Sequence, residues 1–542
     1  MELKLVEIRD NQYMSDLYPD GLPSNAIIDK TLTAKGATTC ELDERYAKRN
    51  SIIIEPNVPV IDSKQVKYSN LLGVREGVTD YDVKKYLLDK SIRYKKIIVT
   101  PESYSKVKQA AEYAGVNLFK DFFLLIDECE KVVQDSNFRP AIVQPFFDFF
   151  SFDNKALISA TPLSPKLKGF TKHSFSHIKI VPTYDYKKNL SLIGTNNVQL
   201  EFLKQISLND NKKAIFLNSP DYAKTLIDKA DIRNHSKIYC SNQENAINKL
   251  HEDGYKASDS FVSGEILEQY SFFTSRFYSA VDLDTPDKPD IIMVTDCLSK
   301  AQTMIDPFTH SVQITGRFRS GIGNITHITN WKEDLKPKSR EEIIEDMEAQ
   351  SKVYNMLADL KETLTGRERQ LLTEIQERIP IYKVLFRNND YKGKVNPFLV
   401  ECDIQKSKVE SFYQDLQSLN NAYNETGHFN VSYHYEHYKE KPKAVKAKPL
   451  SRERKLQILE RLQDLKPEGL VLKFLTEEQQ EELRSLRHEA PELCKYYEKF
   501  GMDKIIEIDY DLATMKRQLK SAHKKEICFV PIDEIHSTFI IG

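Results

Sequence analysis

Eight short, continuously apolar segments punctuate the first 331 residues of the chain, and polar, helix-like stretches separate them. The segments are SIIIEP, KKIIVTPES, FFLLIDECE, KALISATP, KKAIFLNS, SKIYCS, DIIMVTD and NITHITNW. Strands of a parallel sheet are covered by helices on both faces, so their apolar residues run continuously instead of alternating. The pattern therefore predicts an α/β fold built on parallel sheets.

Length and composition exclude several classes of protein. A chain of 542 residues is too long for one hydrophobic core, which predicts roughly two to four domains. Lysine and arginine total 78 against 80 acidic residues, so any basic surface must be local. The seven cysteines form no CxxC pair, which argues against a zinc ribbon or disulfide scaffold and favours a reducing, cytoplasmic location. No stretch approaches the ~20 apolar residues that would span a membrane.

Changes of texture along the chain predict its domain limits. A polar segment between Lys166 and Gln199 separates two α/β units, and after Trp331 apolar residues at spacings of three and four predict amphipathic helices. A Lys-rich run with two prolines reads as a linker, and the closing residues EICFVPIDEIHSTFIIG look strand-like. The predicted limits are 1–180 and 190–335 for two α/β domains, 336–438 for a helical extension, 439–452 for a basic linker, and 453–542 for a C-terminal helical region with a terminal strand.

Three motifs carry the chemistry. LLIDECEKVV delivers Asp127 and Glu128 to the end of an apolar strand, where one carboxylate can hold magnesium and the other can orient and deprotonate a water. About thirty residues later, KALISATP ends a second strand in the SAT element. SVQITGRFRSG then supplies a QxxGRxR pattern whose Arg317 and Arg319 can meet charge on a phosphoryl group.

In this order, the three motifs resemble those of superfamily-two (DEAD/DEAH-like) helicases, which are P-loop NTPases, and in particular divergent phage- or mobile-element-like members. The resemblance covers roughly Pro23 to Trp331. It implies two tandem RecA-like domains, ATP and Mg²⁺ as ligands, and a location in a bacterial cytoplasm or a phage-infected host cell. It also implies that Gln313 belongs to the catalytic set with Glu128 and the two arginines, whose individual roles as finger and sensor stay open.

Weaker elements fall in the gaps between these motifs. By the same resemblance, the nucleic-acid-binding residues are predicted to be Pro56, Thr100, Pro101, Glu102, Ser219 and Thr274. The residues that couple the two domains are predicted to be Ser159, Thr161 and Asp282.

The phosphate loop is irregular. The candidate is DKTLTAKGATTCEL, whereas a regular loop reads GxxxxGK followed by Ser or Thr. Aligned on Gly36, Thr31 replaces the first glycine and Ala37 replaces the lysine, which leaves Thr38 as a magnesium ligand with Asp127. Lys35 or Lys30 could replace the missing lysine, and proximity along the chain favours Lys35. The predicted nucleotide-binding set is Lys30, Thr33, Lys35, Gly36, Ala37, Thr38 and Thr39.

Other tempting residues have simpler explanations. VPIDEIHSTF contains Asp533, Glu534 and His536 but follows the arginine motif, so its position excludes it as the acidic motif. His434 and His437 have metal-ligand spacing but no nearby partner to complete a metal site. Base stacking by the aromatic residues Trp331, Phe272, Phe273 and Tyr278 is conceivable, although core packing is the prediction for all four.

The sequence thus predicts an ATP-dependent helicase or translocase that acts on nucleic acid, with DNA preferred over RNA. The alternative is a catalytically silent binding module with a degenerate phosphate loop. In either case the C-terminal helical region is a candidate surface for a protein partner.

Overall fold

The computed structural model describes residues 2–136, 139–163, 170, 173–242, 245–279, 283–385, 393–439, 452–465, 483, 486–487, 490–511, 514–515 and 517–518. Asp282, the linker residues 440–451 and the closing segment 519–542, which includes the DEIH sequence, lie outside the described residues. The chain divides into two compact units, Met1–Pro442 and Lys443–Gly542.

A parallel sheet forms the first part of the larger unit. Its strands are β1 (Leu3–Ile8), β2 (Ala26–Asp29), β3 (Asn50–Ile54), β4 (Leu71–Val74), β5 (Lys96–Val99), β6 (Phe122–Asp127), β7 (Asn154–Ser159) and β8 (Ser176–Pro182). They lie in the order β1-β8-β2-β7-β6-β3-β5-β4, and all neighbours are parallel. The connecting helices are α1 (Met14–Leu17), α2 (Ala37–Leu42), α3 (Val58–Lys67), α4 (Asp80–Leu88), α5 (Tyr104–Ala114), α6 (Leu118–Asp121), α7 (Lys131–Gln134) and α8 (Gln144–Phe149).

A second parallel sheet follows. Its strands are β9 (Lys188–Thr195), β10 (Lys213–Phe216), β11 (Ser236–Tyr239), β12 (Lys256–Ser258), β13 (Tyr270–Phe273), β14 (Asp290–Thr295), β15 (Ile325–Thr329) and β16 (Phe429–Glu436). Their order is β12-β11-β13-β10-β14-β15-β9-β16, again with all neighbours parallel. Its helices are α9 (Val198–Ile206), α10 (Pro220–Ala230), α11 (Ala246–Glu252) and α12 (His310–Thr315).

The eight apolar segments noted in the sequence all form strands of these two sheets. Continuous apolarity has the expected cause, since all six residues of β6 and all six of β14 are buried. The predicted α/β fold with two tandem parallel-sheet domains is therefore confirmed. Because parallel strands end at a common edge, polar residues that follow different strands are brought together there.

The region after β15 is mainly helical, as predicted. It contains α13 (Arg340–Glu362), α14 (Gly366–Arg378), α15 (Pro397–Phe412) and α16 (Leu416–Glu425). The helical prediction is wrong for β16, which pairs in parallel with β9 and so extends the second sheet. Larger apolar or aromatic residues alternate with polar ones at Phe429, Val431 and Tyr433, and the first two face the core, which explains why these residues form a strand.

The smaller unit contains α17 (Arg452–Asp464) and α18 (Pro491–Glu507). Its core is apolar and includes Leu459, Leu493 and Tyr496. No described helix is both long and apolar enough to cross a membrane.

The helical extension is built into the core of the second domain through a buried polar network. His327 on β15 is fully buried, with Nε2 3.0 Å from the Thr295 hydroxyl and Nδ1 2.9 Å from the Tyr423 hydroxyl on α16. Burial lowers the pKa of His327 to about 3, so the imidazole is neutral and both nitrogens need a partner. This network ties α16, and with it β16, to the centre of the sheet.

We predict that Tyr423→Phe lowers the free energy of unfolding by about 1–3 kcal/mol, because it leaves a buried ring nitrogen without its partner. Urea denaturation measures the change. Tyr113→Phe on α5 is the control, since Tyr113 is exposed and its replacement should alter stability by less than ~0.5 kcal/mol. An equally small effect of Tyr423→Phe would contradict the role given to this hydroxyl.

Candidate functional site

The loop between β2 and α2, residues 30–36, has the sharp turns expected of a phosphate-binding loop. Three of its residues have left-handed backbone conformations, with φ of 55° at Thr31, 63° at Ala34 and 76° at Gly36. Asp29 fixes the start of the loop, because its carboxylate accepts a hydrogen bond from the Thr31 backbone N–H at 2.8 Å. The Thr31 hydroxyl also donates to the Ile180 carbonyl at 2.6 Å. The loop is therefore held firmly although it lacks the regular glycine and lysine.

The predicted magnesium ligands lie side by side. The Thr38 hydroxyl, at the start of α2, donates to Asp127 Oδ2 at 2.6 Å, and Asp127 Oδ1 accepts from the Glu128 backbone N–H at 3.0 Å. Glu128 itself has φ of 45°, which is strained for a residue other than glycine. This turn directs both carboxylates of the acidic motif towards the loop.

Lys30, and not Lys35, faces the acidic pair. Its buried ammonium lies 3.3 Å from Glu128 Oε1 and 3.6 Å from Asp127 Oδ1. The Lys35 ammonium instead donates to the Asp10 carbonyl at 3.0 Å and lies 5.2 Å from the centre of the Tyr184 ring. The geometry therefore favours Lys30 over Lys35, because the hydrogen-bond partners of the Lys35 ammonium are the backbone carbonyls of Asp10 and Gln12.

The second domain contributes two polar side chains to the same place. Arg317 is buried, and its Nη2 lies 3.7 Å from Glu128 Oε1. Gln313 donates from Nε2 to Glu128 at 3.3 Å, to Glu130 at 3.1 Å and to the Thr161 hydroxyl at 3.2 Å. Among the described residues, Arg317 Nε and Nη2 have no hydrogen-bond partner. A buried guanidinium with unused donors is suited to an anionic ligand.

A hydrogen bond between a side chain of the first domain and the backbone of the second joins the two domains beside this cluster. The Thr33 hydroxyl donates to the Gly316 carbonyl at 3.0 Å, and a Cβ added to Gly316 would lie 2.1 Å from that hydroxyl oxygen. Only glycine permits this approach. The glycine of the QxxGRxR pattern thus lets the phosphate loop touch the arginine motif.

The charged groups of the cluster shift one another's pKa values. Burial alone would raise the pKa of Glu128, but the Lys30 and Arg317 charges outweigh it and lower that pKa to about 2. Burial opposes the charge of Lys30 too, yet Glu128 and Asp127 hold its pKa above the ordinary value. Burial and the Glu128 charge raise the pKa of Glu130 to about 8. At neutral pH Glu128 is ionised and Glu130 is protonated.

Lys30, Asp127, Glu128 and Arg317 line a cavity of about 390 Å³, within the ~300–1,000 Å³ typical of small-molecule sites. Its walls include Lys30, Thr33, Lys35, Gly36, Ala37, Thr38, Thr39, Asp127, Glu128, Arg317 and Arg319. Exposed Arg319 lies at the surface, in contrast to buried Arg317.

Several lining residues were not predicted from the sequence. They are Tyr13, Ser15, Arg45, Tyr46, Glu55, Val60, Lys64 and Lys67. Glu55 ends the apolar run of β3, and an acidic residue at the end of a buried strand is a signal that could have identified it. Burial, together with the charges of Asp127 and Glu128, raises the pKa of Glu55 well above its ordinary value. No sequence pattern marks Tyr13, which reaches the cavity from α1's N-terminal boundary.

Two of the predicted coupling residues, Ser159 and Thr161, contact the acidic motif and the second domain respectively. The Ser159 hydroxyl donates to Glu128 Oε2 at 3.2 Å, and Thr161 accepts from Gln313 as described above. Both belong to the SAT element after β7, so this element lies between the acidic motif and the second domain.

The predicted nucleic-acid-binding residues lie outside the cavity, at the carboxyl ends of strands. Arg139 clamps two of them: it donates to both carboxylate oxygens of Glu102 at 2.9 and 3.0 Å and to the Pro56 carbonyl at 3.1 Å. Thr100 and Pro101 follow β5 in the same region. In the second domain Ser219 caps α10, and the Thr274 hydroxyl donates to the Tyr239 carbonyl at 3.2 Å.

Comparisons with known proteins find low similarity. No protein-family model matches the sequence, and no curated protein matches it. Among solved structures, S. cerevisiae Dbp5 bound to RNA and ADP BeF3 is 14% identical, the match covering 58% of this chain and 81% of Dbp5 with a TM-score of 0.36. A DEAD box protein from the hyperthermophile Methanococcus jannaschii is 13% identical over 56% of this chain and 82% of its own, with a TM-score of 0.31. RecG bound to a three-way DNA junction is 12% identical over 57% and 40%, with a TM-score of 0.32. Identities this low assign no activity, since one fold supports many functions.

The protonated state of Glu130 generates a prediction about pH. Between its ordinary pKa of 4.5 and about 8, the folded chain holds a proton that the unfolded chain has lost, so stability falls as pH rises through this range. Glu130→Gln keeps the oxygen that accepts from Gln313 but cannot ionise. We predict that the variant's melting temperature exceeds that of the wild type by an amount that grows from pH 5 to about 8 and then levels off. A difference independent of pH would contradict the assignment.

Proposed function

We propose that this chain is an ATP hydrolase of the superfamily-two type, a helicase or translocase that acts on nucleic acid. The observation that supports this most strongly is the interdomain cavity, where Lys30, Thr38 and Asp127 of the first domain meet Arg317 of the second beside Glu128. Nucleotide hydrolysis needs cations around the phosphates and a carboxylate next to the attacking water. All of these groups line one cavity.

The residues of the loop and the acidic motif fit a magnesium-bound nucleotide. Lys30 and the loop residues Thr33, Gly36, Ala37, Thr38 and Thr39 would bind the phosphates, while the Thr38 hydroxyl and the Asp127 carboxylate would hold the metal. When bound, Mg²⁺ neutralises charge on the phosphoryl oxygens. The unused donors of Arg317 are suited to the terminal phosphoryl group, because a guanidinium offers a fixed fork of N–H groups.

Glu128 is the proposed general base. Ser159 and Gln313 hold its Oε2, while its Oε1 faces Lys30 and Arg317. With a pKa near 2 the carboxylate is a weak base while both cations attend it. An anionic substrate would attract these cations and so raise the pKa of Glu128, which makes the carboxylate better able to take a proton from water. Binding thus activates the base.

The second domain senses the same event. Gln313 and Arg317 lie on and just after α12, and Gly316 between them contacts Thr33 of the loop. A change in charge at the phosphates therefore acts on both domains, and opening and closing of the cleft would follow turnover. Nucleic acid is proposed to bind at the carboxyl ends of the strands, with DNA preferred over RNA on the sequence resemblance alone.

We predict that Glu128→Gln abolishes nucleic-acid-stimulated ATP hydrolysis but preserves nucleotide binding. The amide keeps the size of the side chain and one acceptor oxygen but cannot accept a proton, so turnover should fall at least ~100-fold. Phosphate release in the presence of single-stranded DNA, duplex DNA or RNA measures the loss and ranks the substrates.

Unchanged turnover in Glu128→Gln would contradict the proposed base. If the wild type shows neither turnover nor binding of an adenine nucleotide with magnesium at millimolar concentration, the alternative of a silent binding module would replace the proposed function. Folding of each variant is checked by its melting temperature.

A matched pair of variants tests which lysine serves the phosphates. We predict that Lys30→Met weakens ATP binding and lowers hydrolysis by more than about tenfold, because a charge-assisted contact to phosphate is lost. Lys35→Met removes a lysine of the same loop whose ammonium binds backbone carbonyls, and should have less than about a threefold effect. The reverse order of effects would restore Lys35 to the phosphate site. Calorimetric titration with ATP and magnesium measures both.

A further inference from the structure

Strand β16 ends in a cluster of exposed aromatic rings. The ring centres of Trp331 and Tyr435 are 5.5 Å apart, and those of Tyr435 and His437 are 6.0 Å apart. Tyr433 lies on the same face of the strand, two residues before Tyr435. Tyr433 and Tyr435 are 46% and 48% exposed, and we call these four residues the aromatic edge.

Burial along this face of β16 ends abruptly. Phe429 is buried in the core and Val431 packs partly against it, whereas Tyr433 and Tyr435 are exposed. The hydroxyl of Tyr433 donates to Gln417, in the first turn of α16, at 2.6 Å. The first turn of α16 thus reaches the strand, and the Tyr433 ring stays half-exposed beside it. Core packing, predicted for Trp331 with Phe272, Phe273 and Tyr278, is confirmed for the other three, which are buried.

Trp331 is half-buried and supports the cluster from one side. It lies so close to Gly194 on β9 that a Cβ there would come within 3.1 Å of the indole ring. The Tyr435 hydroxyl lies 3.3 Å from His437 Nδ1. These contacts hold the rings in place, so little conformational entropy is lost when a flat ligand stacks on them.

Strand register places the aromatic edge in line with the proposed nucleic-acid contacts. Thr329 and Tyr435 pair with Gly194 from opposite sides of β9, so Trp331 and His437 both lie two residues beyond this level, at the carboxyl ends of β15 and β16. Ser219 follows β10 at the same edge of the sheet. Four strand spacings of ~4.8 Å separate β10 from β16, which makes this edge about 19 Å long.

The charge around the rings suits a nucleic acid. Lys332, next to Trp331, has a side chain that is 43% exposed, and its ion pair with Asp334 is long, at 3.7 Å, and exposed. The carboxylate of Glu436 is balanced by Lys204 at 3.2 Å. Flat rings beside an available cation are the combination that binds unpaired bases and their phosphates.

We propose that Trp331, Tyr433, Tyr435 and His437 form a stacking site for unpaired bases of single-stranded nucleic acid. This inference rests on the proposed function and adds a contact site outside the motifs that suggested it. It assigns the strand β16 a role in substrate binding, and it gives the helical extension, which carries the strand, a reason to be joined to the second sheet.

The chain offers a direct probe of this site, because Trp331 is its single tryptophan. We predict that dT20 and rU20 both quench the tryptophan fluorescence on binding. The oligonucleotide that quenches less is the less preferred of the two, which ranks DNA against RNA. A blunt duplex of the same length has no unpaired bases and should quench far less. Anisotropy of fluorescently labelled oligonucleotides measures affinity in parallel.

Variants separate stacking from other effects. Tyr435→Ala should weaken oligonucleotide binding about tenfold and reduce the quenching, since one stacked base is lost. Tyr435→Phe keeps the ring and should bind within about twofold of the wild type. Tyr113→Ala, in which a tyrosine that is 64% exposed on α5 is removed, is the matched control and should leave binding unchanged.

The outcomes distinguish this inference from the proposed function. The stacking site would be overturned, and the motor left intact, if the wild type bound oligonucleotides and showed stimulated ATP hydrolysis without any quenching. The same holds if Tyr435→Ala bound oligonucleotides with the affinity of the wild type. Absence of binding to every oligonucleotide by anisotropy would overturn both, and would leave the exposed rings as a surface for a protein.

Discussion

Two cations from different domains hold Glu128 ionised inside the protein. Lys30 approaches from the phosphate loop and Arg317 from the second domain, and without them burial would force this carboxyl to take up a proton. Glu128 and Asp127 in turn keep Lys30 charged. Because Arg317 belongs to the second domain, its part in holding Glu128 ionised is present only while the two domains are in contact, which links the chemistry of the cavity to the arrangement of the sheets.

The contact between the two domains depends on the small size of the residues that form it. Gly316 has no side chain, so the Thr33 hydroxyl can reach its carbonyl, and Gln313 can reach Glu130 and Thr161 from α12. A larger residue at 316 would separate the loop from the arginine motif. In the irregular loop, Lys30 places its ammonium beside the acidic pair, and Thr33 makes the interdomain contact.

The sequence predicted the central strands because burial on both faces leaves a continuous apolar run, as in β6 and β14. Strands at or near the edges of the sheets, such as β1 and β16, were not predicted. β1 is mostly exposed, whereas β16 has an alternating pattern and pairs with β9, which lies in a polar segment of the sequence. The order of the motifs predicted that Asp127, Glu128 and Arg317 share one site, and all three line the same cavity. The choice between Lys30 and Lys35 needed side-chain directions, which left-handed turns at Thr31 and Ala34 reverse within a few residues.

The most direct test of a shared interdomain site is the ratio of two dissociation constants for a non-hydrolysable ATP analogue with magnesium, measured by calorimetry on the wild type and on Arg317→Ala. We predict that the wild type binds the analogue with a dissociation constant below millimolar and that the variant binds it at least about tenfold more weakly, because the variant lacks the buried guanidinium that the second domain contributes to the nucleotide site. Equal affinity in the two proteins would contradict it, and so would no binding by the wild type.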